Sequence, residues 1–122
     1  IHSCGIEIVW VDTDGNADVL LDQFIGAGGD AMWPFEIAAG WEPKDVRRRW
    51  GHKLALVGGI DKRAVTAGGD EMRHEVMRKV PALLEDGGYI PCVDHLTPPD
   101  TPFDNHREYV DLVRELGLKY GG

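Results

Sequence analysis

Lys53–Ile60 reads KLALVGGI. The run is short and apolar, does not alternate with polar residues, and stops at two glycines. Length and the glycines together mark a strand buried on both faces, the kind found in parallel sheets. Segments of the same kind recur on either side. Ile6–Val11 (IEIVWV) is a β-branched run, Asp30–Glu36 (DAMWPFE) a strand weakened by Pro34, and Gly88–Val93 (GYIPCV) a fourth.

Helical patterns fill the gaps. Asn16 can cap a helix over Ala17–Ala27, with Val19, Leu20, Phe24 and Ile25 on one face and Gly28-Gly29 as the stop. Pro43 suits the first turn of a short helix ending near Trp50-Gly51. A long helix capped by Asp70 presents Met72, Val76, Met77, Val80, Leu83 and Leu84, with Pro81 inside it. Asp104 or Asn105 opens a last helix, with Tyr109, Leu112, Val113 and Leu116 inward. Four βα units in a row predict an α/β fold with a parallel sheet covered by helices. The chain has 122 residues, enough for one core, and residues 1–122 read as a single domain.

Bulk composition narrows the function. The net charge of −8 argues against nucleic acid and anionic membrane as partners. No apolar run is long enough to span a bilayer and no secretory leader is visible, so a cytoplasmic protein is expected. Cys4 and Cys92 are the only cysteines, in keeping with a reduced compartment.

Each strand ends in titratable residues on its carboxyl side. They are Asp12 and Asp14, then Glu36, then Asp61, then Asp94 and His95. In parallel α/β folds that side carries the site. Any one of these residues has a plain alternative as a turn or cap residue; four strands delivering them to one face does not. His2-Ser3-Cys4 resembles a zinc-ligand pair but precedes the first strand. A strand rises about 3.3 Å per residue, which sets His2 and Cys4 roughly 20 Å from Asp12 and Asp14. A zinc site shared by His2, Cys4 and Cys92 is therefore not expected. Arg47-Arg48-Arg49 is expected to be a solvated helix face, the four tryptophans to be packing residues, and His52, His74 and His106 to be exposed. Gly58-Gly59 either lets a ligand approach the backbone or allows tight packing.

The segments VDTDGN, LLDQFIGAGGDAMWPFE, GHKLALVGGIDKRAV and GGYIPCVDHLTPPDTPFDN resemble the carboxyl-terminal half of the uroporphyrinogen decarboxylase superfamily, which also includes corrinoid-dependent methyltransferases. GGIDK and DHLTPPDTP are the most specific matches. The resemblance implies half of a TIM (β/α)8 barrel, strands five to eight, in a chain that is a fragment or is truncated. The missing amino-terminal half, or a second copy in a homo-oligomer, would complete it. Where family members carry a His-x-Cys or His-x-Asp motif this chain has Asp12 and Asp14, and His95 stands at the position of the decarboxylases' Gly-His-Gly histidine.

The resemblance thus implies Asp12, Asp14 and His95 as catalytic residues, and Asp61 joins them because it follows the glycines at its strand's end. By their places at the strand ends, Glu36, Gly58, Gly59 and Lys62 would contact a small-molecule substrate. Asp12, Asp14 and His95 would be ligands for a divalent metal such as zinc, or would act as acid/base groups without one. The first functional expectation is methyl transfer with a corrinoid carried by a partner, since an acidic face disfavours a polyanion. The alternative is decarboxylation of uroporphyrinogen in tetrapyrrole synthesis. A third is a half-barrel that is catalytically incomplete until it assembles with another chain.

Overall fold

The computed structural model describes residues 1–121. Four strands form one sheet in sequential order: β1 (Trp10–Asp12), β2 (Ala31–Trp33), β3 (Ala55–Val57) and β4 (Tyr89–Ile90). Every neighbouring pair is parallel. Helices α1 (Leu21–Gly26), α2 (Pro43–Trp50), α3 (Lys62–Ala67), α4 (Gly69–Asp86) and α5 (Phe103–Tyr120) connect or follow the strands. The sheet with its helices is half of a βα barrel, left open along β1 and β4.

Register explains which residues face which way. Val11 pairs with Met32, Met32 with Leu56, and Leu56 with Tyr89. This row faces the helices, and Met32 and Leu56 are fully buried against Leu21, Val46, Val65, Val76 and Val80. Burying each such side chain contributes about 1.5–3 kcal/mol. Because side chains alternate along a strand, the flanking row of Asp12, Trp33, Val57 and Ile90 faces the concave side.

The strands are shorter than their apolar runs. In β1 the ladder begins only at Trp10, and Ile6 and Ile8 are exposed. β1 is an edge with a partner on one side only, so residues 6–9 lack a second ladder; Val9 is held by Asp30 and the Ile6 carbonyl by His2. Asp18–Leu20 forms a 3₁₀ turn before α1, and its tighter winding turns Val19 and Leu20 outward and Leu21 into the core. Asn16 still accepts a hydrogen bond from the Asp18 N–H at 3.0 Å.

The connection after β3 contains a helix that the apolar pattern did not announce, α3, capped by Asp61. Gly68, not Asp70, caps α4. Within α4, Met72, Val76, Val80 and Leu83 are buried but Met77 is half-exposed. Arg47 corrects the expectation of a solvated basic face. It is buried, and its guanidinium donates to the carbonyls of Gly51, Leu54, Gly87 and Gly88 while pairing with Asp86 at 3.1 Å. It joins the end of α2 to the turn between α4 and β4. Arg48 and Arg49 are exposed as expected. Among the tryptophans, Trp41 is core but Trp10 is half-exposed on the concave face. His106 is only partly exposed, beside Tyr109.

Candidate functional site

The carboxyl ends of the strands carry loops whose polar side chains interlock. Gly15, just past Asp14, donates its N–H to Glu36 Oε2 at 2.9 Å. The other oxygen of Glu36 lies 3.9 Å from Lys62 Nζ. His95 Nε2 approaches Asp14 Oδ1 at 3.3 Å. Beneath them Asp94, with no solvent exposure, accepts the N–H of Ile37 at 2.9 Å and of Lys62 at 3.0 Å. Burial pushes the Asp94 carboxyl up, and these two donors work against the rise. Asp14, Glu36, Lys62 and His95 thus meet at one mouth, from the loops after all four strands.

Asp12 does not join this cluster. It is the last residue of β1 and points onto the concave face, where it lines a hollow of about 450 Å³ with Trp10, Trp33, Val57, Ile90 and Cys92. Asp14 lies in the loop beyond, so the two aspartates do not act from the same place. Among the described residues no three His, Cys, Asp or Glu side chains come together as metal ligands. The Asp12, Asp14 and His95 triple therefore does not assemble as a ligand set. Burial raises the Cys92 thiol above its ordinary range, so it sits in the hollow as a neutral group.

The Asp61 side chain bonds to Arg63 and to none of Asp14, Glu36, Lys62 and His95. Its carboxylate caps α3 through the Arg63 N–H at 2.8 Å and takes three further bonds from the Arg63 guanidinium. Burial works to raise its pKa, but Arg63 outweighs it and holds the group below the usual carboxylate range. Gly58 and Gly59 are packing positions, not ligand approaches. Both have positive φ, and a Cβ on Gly58 would collide with the Pro34 carbonyl oxygen, one on Gly59 with the Pro43 ring. Gly59 donates to Pro34 O at 2.8 Å, and Tyr89 Oη donates to Gly58 O at 2.9 Å.

The loop bearing these glycines, Asp61 and Lys62 rests on a buried charge network. Lys79 has no exposure, donates to Gly59 O at 2.7 Å, and pairs with Glu75 and with Glu42 Oε2 at 3.3 Å. Glu75 accepts the Asp61 N–H at 3.0 Å and pairs with Arg78 at 2.8 Å. The sequence carries a signal for this: Glu75 and Lys79 share the helical face of Met72, Val76, Val80 and Leu83.

At the opposite end, His2 bonds the carbonyls of Gly28 at 2.9 Å and Ile6 at 2.8 Å. Gly28 precedes β2, so His2 lies at the amino ends of the strands, away from Asp14 and His95.

Fold and mouth together define an open half of a parallel βα barrel with its polar cluster at the strand carboxyl ends. The sequence pattern of the family "Uroporphyrinogen decarboxylase (URO-D)" matches residues 11–116, and the chain belongs to that family. It is 29% identical over 108 residues to the uroporphyrinogen decarboxylase of Pseudomonas putida (strain W619), covering 86% of this chain and 29% of that protein. The Photobacterium profundum protein of the same name is 31% identical over 109 residues, again covering 86% of this chain and 29% of its own. The one from Hahella chejuensis is 28% identical over 108 residues, with the same coverage. The chain thus spans about three-tenths of the length of these relatives. No helix among the described residues is long and apolar enough to cross a membrane.

Proposed function

We propose that this chain supplies the carboxyl-terminal half of a barrel that decarboxylates a polycarboxylated tetrapyrrole such as uroporphyrinogen. The names of its relatives favour this over methyl transfer to or from a corrinoid. The observation that carries it is the hollow on the concave face. Trp10, Trp33, Val57 and Ile90 offer apolar and aromatic surface to a flat macrocycle, and Asp12 offers an acceptor for the ring's converging pyrrole N–H donors.

The net reaction replaces a carboxylate by hydrogen. The C–C bond breaks, CO₂ departs, and the electron pair left on carbon takes up a proton. The reaction therefore needs a proton donor near the mouth. His95, held by Asp14 at 3.3 Å, stands there and is the residue we assign to proton delivery. Lys62 would attract one of the substrate's carboxylates. No metal is assigned a role. The concave face would be covered in the working protein by the amino-terminal half of the barrel, which the greater length of the relatives can supply.

Titrating uroporphyrin, the oxidised ligand, into the protein should quench tryptophan fluorescence through Trp10 and Trp33. Asp12→Asn and Trp10→Ala should each weaken binding about tenfold, the worth of one hydrogen bond or contact of about 1.4 kcal/mol. Absence of quenching, or binding as tight as the parent's in both variants, would sink the proposal. Preferential binding of hydroxocobalamin would return the assignment to methyl transfer.

A further inference from the structure

We infer that Asp94 is the positioning residue of the mouth: one buried carboxylate that fixes, at the same time, the loops carrying Glu36, Lys62 and His95. Asp94 Oδ2 takes the N–H of Ile37, the residue after Glu36. Asp94 Oδ1 takes the N–H of Lys62 itself. Its own N–H donates to Ile60 O at 2.8 Å, extending the Ile60–Val93 bridge, and His95 is the next residue in the chain. Three strand-end loops therefore meet on a side chain that solvent does not reach.

Only a carboxylate fits this position. Both bonds come from donors, so both oxygens must accept, and two charge-assisted bonds to backbone amides offset the cost of burying the charge. An asparagine would turn its NH₂ toward one of the two N–H groups and leave that donor unpaired. The loop so freed carries either Glu36 or Lys62, and the 3.9 Å contact between those two would open. Glu36 in turn holds the Gly15 amide, next to Asp14. Gly15 is thus a reporter that Asp94 does not touch, reached from it through Glu36 and through the contact of His95 with Asp14.

The inference takes the mouth of the proposed function as the working site, but its test is independent of any ligand. Amide exchange and ¹H–¹⁵N shifts are recorded for Asp94→Asn and for the parent protein. The amide left facing the new NH₂ group, Ile37 or Lys62, should exchange about tenfold faster in the variant, as expected for a lost hydrogen bond of typical strength, and Gly15 should loosen with it as the Glu36–Lys62 contact opens. The Leu56 and Asp61 amides, bonded to Gly88 O and to Glu75, should keep their protection.

Uniform loosening of all five amides would reduce Asp94 to a stability role and overturn the inference, as would an unchanged Gly15. If Asp94→Asn does not fold, Asp94→Glu keeps the charge and both acceptors but lengthens the arm. Gly15 should then shift while Leu56 holds, and an unmoved Gly15 counts against us. Uroporphyrin titration of the same samples separates the two proposals: a parent protein that fails to bind refutes the function and leaves the Gly15 result standing.

Discussion

Replacing Lys79 with Met tests whether the buried charges of α4 hold the loop after β3. The ammonium is fully enclosed and has three partners: the Gly59 carbonyl and the carboxylates of Glu75 and Glu42. Methionine fills the volume but satisfies none of them. Removing one partner of a buried ion pair usually costs about 3–5 kcal/mol, because the charge left behind has no compensation. Arg78 still pairs with Glu75 and Glu42 at 2.8 Å, which argues for the low end of that range. The unpaired Gly59 carbonyl adds a penalty of its own, about 1–3 kcal/mol, unless water reaches it. We expect a loss of about 4 kcal/mol in urea unfolding and, for a domain of this size, a drop in Tm of roughly 16 °C. The double variant Lys79→Met, Glu75→Gln should recover about half of that, since glutamine is neutral yet can still accept the Asp61 N–H; the cycle isolates the pair. A single-variant loss below about 1 kcal/mol, with no recovery in the double variant, would refute the claim that this network carries the loop.

Arg47→Ala should cost about 3 kcal/mol by leaving four buried or half-buried carbonyls and Asp86 without their donor, while Arg48→Ala changes stability by less than about 0.5 kcal/mol; chemical denaturation of both separates them. Gly58→Ala meets the Pro34 carbonyl and a positive φ of 100° together, so soluble yield and Tm should fall well below those of Gly51→Ala, where nothing lies near the added methyl. The His2 imidazole is raised above its ordinary value by the Gly28 carbonyl, then by that of Ile6. Its folded pKa exceeds the unfolded one, so its contribution is present in full below the ordinary value of 6.5 and is lost as pH rises through the folded pKa. The gap in Tm between parent and His2→Ala should therefore narrow from pH 5.5 to pH 8, and a constant gap would refute the link.

The parallel order of the strands was legible because each is an apolar run with helix-period sequence after it, and because doubly buried strands need no alternation. What the pattern could not give were features set by partners. Val19 and Leu20 fit the helical period but begin in a 3₁₀ turn, whose different angular step brings Leu21 inward in their place. Helix α3, KRAVTA, is too short and too polar to leave a periodic signal, and it exists through the Asp61 cap and its packing beside α4 and α5. Ile6 and Ile8 read as buried because the sequence does not say that β1 is an edge. At the strand ends, Asp14, Glu36, Lys62 and His95 make contacts with one another or with neighbouring backbone. Position along the strand does not reveal side-chain partners: Asp12 lines the concave hollow, and Asp61 is bound to Arg63.

Direction also changes the electrostatic objection to a polyanionic ligand. Counted along the sequence, the strand ends carry Asp12, Asp14, Glu36, Asp61 and Asp94 against Lys62 and Arg63, a face that should repel carboxylates. In the folded chain three of the five acids are already engaged. Arg63 neutralises Asp61, Lys62 faces Glu36, and Asp94 is enclosed with two amide donors turned toward it. The field an incoming ligand meets is then set chiefly by Asp12 in the hollow and by Asp14 beside His95. His95 lies against Asp14, and Asp12 stands in the hollow, where the proposed macrocycle would present its N–H donors. An acidic sequence and a carboxylate-bearing substrate are therefore compatible, because most of this acidity is spent inside the protein on holding the loops in place.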